Sequence, residues 1–96
     1  MRITGPTIRV LQYFLADPAR ERYGYELLQS TGIKSGSLYP ILNRLETAQW
    51  IDGVWRESPH PGRPRRRSYK LTGLGQRQAK IILSEKGAGV RQLGVV

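Results

Sequence analysis

The residues best equipped for chemistry in this sequence are cations. Four of the five residues from Arg63 to Arg67 are arginines, within the stretch Pro61-Gly62-Arg63-Pro64-Arg65-Arg66-Arg67, and Lys70 follows closely. A guanidinium carries a permanent charge and a planar fork of N–H donors, so a cluster of them on a loop suits phosphate oxygens or a narrow electronegative groove. The prolines stiffen the loop and hold the like charges apart, which lowers the ordering cost on binding. In an A·T-rich minor groove the potential is most negative. Arg63 and Arg65 are the side chains to insert there, with Arg66, Arg67 and Lys70 on flanking phosphates. The plain alternative is a solvated charge run at a hairpin tip. A second group, Lys34, Ser35, Gly36, Ser37 and Tyr39, sets short polar side chains beside one cation and one phenol. At the start of a helix such residues let the backbone approach a polyanion and leave free N–H groups for a phosphate oxygen. The alternative here is an ordinary helical corner with a serine cap.

Residue types argue against catalysis and metal binding. The chain has no cysteine and one histidine, His60, so a thiolate site or a zinc centre lacks its ligands. No glycine-rich phosphate cradle opens a helix, and Glu26, Glu46, Glu57 and Glu85 show no pairing by spacing. No enzyme activity, metal or cofactor is therefore expected. The net charge of +9 and pI near 10.7 call for a polyanionic partner, nucleic acid or anionic lipid. No apolar run approaches the ~20 residues of a membrane span, so a soluble cytoplasmic protein without a membrane partner is expected. With 96 residues, 39% of them apolar, one small domain with a modest core follows, and a partner subunit would help it.

These groups need elements to position them. Ile8, Leu11, Phe14 and Leu15 recur at three- and four-residue spacing and predict a helix over Thr7 to Ala16, with Thr4 or Gly5 as N-cap, Pro6 at its first position and Asp17-Pro18 at its end. Asp17 to Arg22 reads as a connection. A short helix is predicted over Tyr25 to Ser30, with Leu27 and Leu28 inward and the corner at Thr31-Gly32. A third helix over Ser35 to Ala48 has Leu38, Ile41, Leu42 and Leu45 on its apolar stripe and Asn43, Arg44 and Glu46 on its wet side. With Ser35 or Ser37 as N-cap, Pro40 falls in or near the first turn. Strand character over Trp50 to Glu57 and Arg66 to Leu71 predicts an antiparallel hairpin with a long basic tip, Trp50 and Trp55 packing on the third helix. Thr72 caps a last helix to about Lys86, whose Leu74, Ala79, Ile81, Ile82 and Leu83 make an apolar surface wider than a small core needs. The tail from Gly87, rich in glycine, is expected to be frayed or ordered by a partner.

Two helices around a glycine-containing corner, the second opening with small polar residues, match a helix-turn-helix whose second helix enters the major groove, with Asn43 and Arg44 extending its contact surface. The fold expected is mainly α with a small β-hairpin, an α+β winged helix-turn-helix of three N-terminal helices, a two-stranded wing and a C-terminal helix. Tyr39 is a candidate for a phosphate hydrogen bond, Tyr23 and Tyr25 less so. Other readings stay open at this point: an RNA-binding or ribosome-associated basic module, or a winged helix that docks protein.

Tyr23-Gly24-Tyr25-Glu26-Leu27, Ser35-Gly36-Ser37-Leu38-Tyr39-Pro40-Ile41-Leu42 with Arg44-Leu45-Glu46, Trp50-Ile51, and Gly62-Arg63-Pro64-Arg65 leading to Tyr69-Lys70-Leu71-Thr72 and Gly75 resemble, in register from about Ile8 to Gly75, the PadR family of bacterial transcriptional regulators. The resemblance implies a homodimer paired through the C-terminal helix, usually packed with the first helix, that binds palindromic operators in double-stranded DNA, most often as a repressor. It implies Pro40 beside Ser35, Gly36, Ser37 and Tyr39 at the major-groove end, Arg63, Arg65 and Arg66 on the wing, and an interface of Leu11, Leu74, Ile81, Ile82 and Leu83. Members commonly respond to small aromatic or hydrophobic effectors. Residues 1–72 then form the DNA-binding domain and 73–96 the dimerisation helix and flexible tail. Gln49 stands where the family usually has glycine, which predicts a costlier helix exit, and Ser68 stands where an aromatic is frequent.

Overall fold

The computed structural model describes residues 2–95, with side chains described over 2–85. The first helix, α1 (Gly5–Ala16), starts at Thr4, whose Oγ1 accepts the Thr7 N–H at 3.2 Å, and stops at Asp17 before Pro18. Its inward stripe is Thr7, Val10, Leu11 and Phe14. Leu11 is 0% exposed and lies in the same cluster as Val10, Phe14 and Leu27, so its expected place at a subunit interface is corrected: helical spacing turns it into the chain's own core.

The segment read as a connection contains a strand, β1 (Arg22–Tyr23), followed directly by α2 (Gly24–Thr31). Glu26 stabilises the start of α2 by accepting the Tyr23 N–H at 3.3 Å, and Gly32, at φ +70°, ends it with its N–H on the Leu28 carbonyl at 3.1 Å. The third helix, α3 (Ser35–Thr47), begins one residue earlier than a serine cap would place it. Lys34 is the N-cap and no side chain caps the helix, which moves Pro40 into the second turn. A proline inside a helix costs about 3 kcal/mol. Burying Leu38, Ile41, Leu42 and Leu45, at roughly 1.5–3 kcal/mol each, outweighs it.

At its other end α3 closes with the Gln49 N–H on the Glu46 carbonyl and the Trp50 N–H on the Leu45 carbonyl, both 2.9 Å. This pattern needs a left-handed residue, and Gln49 supplies it at φ +64°. The strands β2 (Ile51–Arg56) and β3 (Arg66–Leu71) pair antiparallel from Ile51↔Leu71 to Arg56↔Arg66. On the other side of β3, Arg22 pairs with Tyr69 and Tyr23 with Ser68, so the sheet has three strands in the order β1-β3-β2 rather than two. Glu21 and Arg56 meet across the strand between them. Arg56 donates to both carboxylate oxygens, at 2.9 and 2.7 Å, and these bonds pull the Glu21 carboxyl down to about 2.

Thr72 then joins sheet to helix. Its N–H reaches the Trp50 carbonyl at 3.0 Å, its hydroxyl donates to the Gln49 carbonyl at 2.6 Å, and the same oxygen accepts the Gly75 N–H at 2.9 Å to cap α4 (Gly73–Val95). The helix continues past the expected end at Lys86. Glycines at 87, 89 and 94 each cost about 1 kcal/mol against alanine, but no proline interrupts the hydrogen-bond ladder. The core is shared by α1, α2, α3, the sheet and the start of α4, from Val10 to Ala79.

Replacing Gln49 by glycine should relieve the left-handed backbone and raise stability by about 1 kcal/mol, read as a higher urea midpoint at unchanged slope; an unaltered midpoint would show that the exit carries no cost. A folded carboxyl pKa below its free value of 4.5 contributes stability that is full above that value and is lost as pH falls toward 2. The stability gap between wild type and Arg56→Gln should therefore be widest above pH 4.5 and close in acid. A gap independent of pH would mean that Arg56 acts through packing instead.

Candidate nucleic-acid interface

Helical periodicity splits α3 into two faces. Leu38, Ile41, Leu42 and Leu45 are buried, whereas Ser35, Gly36, Ser37, Tyr39, Pro40, Asn43, Arg44 and Thr47 are exposed, together with the N-cap Lys34. The exposed set is polar or small, and its two charges are both positive. Because no side chain caps the helix, its N-terminus keeps the partial positive charge of unpaired amides toward solvent. Tyr39 is 42% exposed and lies against α2: a Cβ on Gly24 would come within 2.9 Å of its hydroxyl and 3.1 Å of Cε1. The phenol is thereby held at the junction of the two helices rather than swinging free. Tyr25 is exposed and its hydroxyl accepts from Gln29 at 3.0 Å.

The hairpin tip carries Arg63, Arg65 and Arg66, all exposed, around a hollow of about 340 Å³ that Ser58, His60 and Pro64 also line. Arg66 lies over the Tyr23 ring at 4.1 Å, which fixes its stem against β1 by a cation–π contact. Arg67 is placed differently from the other three. It is partly buried, its Nη2 donates to Glu46 Oε2, and its guanidinium lies 5.3 Å from the Trp55 ring. Trp55 is 58% exposed and so does not pack fully on α3 as expected; its partner is the Arg67 cation. Lys70 is exposed on β3.

Four arginines have carboxylate partners. Arg20 and Arg22 gather around Glu26, at 2.6 and 4.0 Å, Arg56 is paired with Glu21, and Arg67 with Glu46. Arg22, 3% exposed, also stacks on Tyr13 at 4.0 Å. These pairs belong to the scaffold. Among the described residues no carboxylate pairs with Arg44, Arg63, Arg65 or Arg66, and the sequence between Glu57 and Glu85 contains no acid at all. Positive charge on α3 and the hairpin tip is thus left uncompensated, the condition for attracting a polyanion. Sequence reading foresaw the tip. It missed the contacts that Glu46, Gly53 and Tyr23 make with Arg66 and Arg67, which depend on strand register.

On α4, Gly75 and Ala79 face inward, and Ile82 packs partly on the core. Leu74 and Ile81, seven residues apart and so on one stripe, are 37% and 52% exposed. Leu83 is half-buried. Among the described residues no group of His, Cys, Asp and Glu is placed to hold a metal ion, and no helix is long and apolar enough to cross a membrane.

The sequence profile of the transcriptional regulator PadR-like family matches residues 13–81. A Streptococcus mutans protein, smu.1704, is 27% identical to this chain and superposes with a TM-score of 0.73, over 98% of this chain and 89% of its own. A PadR-like transcription factor from Bacteroides fragilis is 25% identical, with a TM-score of 0.69 over 94% of this chain and 88% of its own. A MarR mutant from Escherichia coli, 23% identical with a TM-score of 0.74, covers 94% of this chain and 62% of its own and shares the fold. No curated protein matches the sequence.

Proposed function

The chain belongs to the PadR-like family of transcriptional regulators, and from that premise we propose that it binds a palindromic operator in double-stranded DNA as a homodimer and represses transcription there. Residues 1–72 act as the DNA-binding unit and 73–96 as the pairing helix and tail. In this reading the start of α3, with Lys34, Ser35, Gly36, Ser37, Tyr39 and Pro40, enters the major groove, and Asn43 and Arg44 lie along it. Arg63 and Arg65 reach the flanking minor groove while Arg66 and Lys70 meet phosphates. Two such units bind one face of the duplex with recognition helices about 34–36 Å apart. Leu74 and Ile81, with Ile82 and Leu83 beside them, form the two-fold seam. A protein acting on the chromosome works in the cytoplasm, and a small aromatic or hydrophobic effector belongs to this reading through the family resemblance alone.

The observation that carries the proposal is the sorting of charge. Arg20, Arg22, Arg56 and Arg67, on the sheet and around the α1–α2 junction, have carboxylate partners, and the arginines on α3 and the hairpin tip have none. Internal ion pairs explain the former, and the latter face solvent, where they are free to meet an external anion. Selection from random duplexes tests the target directly, since a recovered palindrome reports both DNA binding and two-fold symmetry.

Replacing Arg63 and Arg65 together by alanine should weaken binding to every duplex with the fold intact. For the wild type, if the dimer neutralises roughly eight to ten phosphates, log K should fall with log salt at a slope of about −7 to −9. A flat salt plot, or an unchanged dissociation constant for the double variant at matched salt, would remove the wing from binding. Ile81→Asp places a charge on the exposed stripe of α4 and should yield monomers in sedimentation; an unaltered mass would move the seam elsewhere.

A further inference from the structure

We propose that Glu46 and Arg67 form a strut that sets the angle of the wing against the recognition helix, and so the distance between the two DNA contacts; this deepens the DNA-binding reading and rests on it. Glu46 lies in the last turn of α3 and Arg67 on β3, opposite Trp55 of β2. The ion pair joins them directly, with both side chains about two-thirds covered, at 29% and 32% exposure. Its low exposure protects it from the screening that makes surface pairs weak.

The surrounding residues are shaped around this pair. Gly53, on β2, faces it: a Cβ there would stand 2.6 Å from Arg67 Nη2, 2.8 Å from Arg67 Cζ and 2.8 Å from Glu46 Oε2. Glycine at this strand position lacks a side chain to pack and weakens the strand, a cost that makes sense where another group must approach closely. The rings of Trp55 and Tyr69, at 5.3 and 5.8 Å from the guanidinium, flank it further. The bond from Glu46 raises the Arg67 pKa above its ordinary value, so the cation stays charged.

Geometry explains why such a strut is needed. The wing is joined to α3 in sequence only through Ala48, Gln49 and Trp50, and the β2–β3 ladder ends at Arg56↔Arg66, one pair beyond Trp55↔Arg67. The pair therefore grips the hairpin close to where the ladder gives way to the basic loop. Arg67, which the sequence assigns to a phosphate, acts as a positioning residue for Arg63 and Arg65.

The test uses the absence of cysteine. Cysteines introduced at Thr47 and Pro61 carry nitroxide labels, and labelled subunits are diluted into unlabelled protein so that electron-spin distances are read within one chain. Wild type should give a narrow distribution and Glu46→Gln a broad one. The Glu46→Arg, Arg67→Glu double variant should narrow it again. On DNA, Glu46→Gln adds one positive charge, so electrostatics alone predict tighter binding. The strut instead predicts about tenfold weaker binding to a selected operator, with wing protection lost from the footprint and α3 protection kept. Arg67→Met, which removes the cation at similar side-chain length, broadens the distances in the same way should Glu46→Gln fail to fold. An unchanged distance distribution, or operator binding as tight as wild type with the wing footprint intact, overturns the strut. If wild type selects no duplex, the DNA-binding reading fails, and the label distances still decide whether the pair holds the wing.

Discussion

Three elements end or begin at two carbonyl groups. The peptide at Gln49 and Trp50 closes α3 through its N–H groups, receives the Thr72 hydroxyl and N–H through its carbonyls, and passes into β2. Thr72 in turn ends β3 and caps α4. The third helix, the hairpin and the last helix are therefore referenced to one short stretch of backbone. A left-handed glutamine is the cost of that arrangement, since only a left-handed residue there lets both α3 carbonyls be satisfied while the chain turns into the sheet. Backbone hydrogen bonds, unlike contacts between flexible side chains, allow little play, so displacement of any one element is transmitted to the other two.

Electrostatics then divides labour across this frame. A protein with net charge +9 repels itself, and three of its seven carboxylates neutralise arginines on the scaffold: Glu21 across the sheet, Glu26 at the α1–α2 junction, Glu46 beneath the hairpin. Among the cations left without an acidic partner are those of α3 and the hairpin tip. A buried arginine such as Arg22 is tolerated because Tyr13 and Glu26 surround it. The same residue type thus does two jobs, and register rather than composition decides which.

Much of the frame is legible from local signals. Thr4, Pro6 and Asp17-Pro18 bound α1, Gly32 marks the corner, Thr72 caps α4, and the residues of β3 match their expected span, because each depends on neighbours in sequence. The exposed side of α3 follows from its period. What escapes is set by partners distant in the chain. β1 is two residues long, too short for any alternation, and exists because β3 has a free edge. The family resemblance assigned Leu11 to the subunit interface, and it could not show which neighbours in this chain cover the side chain. Ser35 and Ser37 are good caps in isolation, yet Lys34 holds the position because the packing of Leu38 and Ile41 fixes the helix in register. Arg67 is indistinguishable in sequence from Arg65 and Arg66. Only the pleat of β3 turns it toward Glu46.

The contact between Gly24 and Tyr39 bears on how this surface can evolve. With an aromatic ring resting on the first turn of α2, any side chain at position 24 collides with it. The two sites are therefore coupled: a smaller residue at 39 removes the obstacle to a side chain at 24, and a side chain at 24 displaces the phenol. A smaller residue at 39 opens the neighbouring helix to drift, whereas a retained phenol disfavours any side chain at 24.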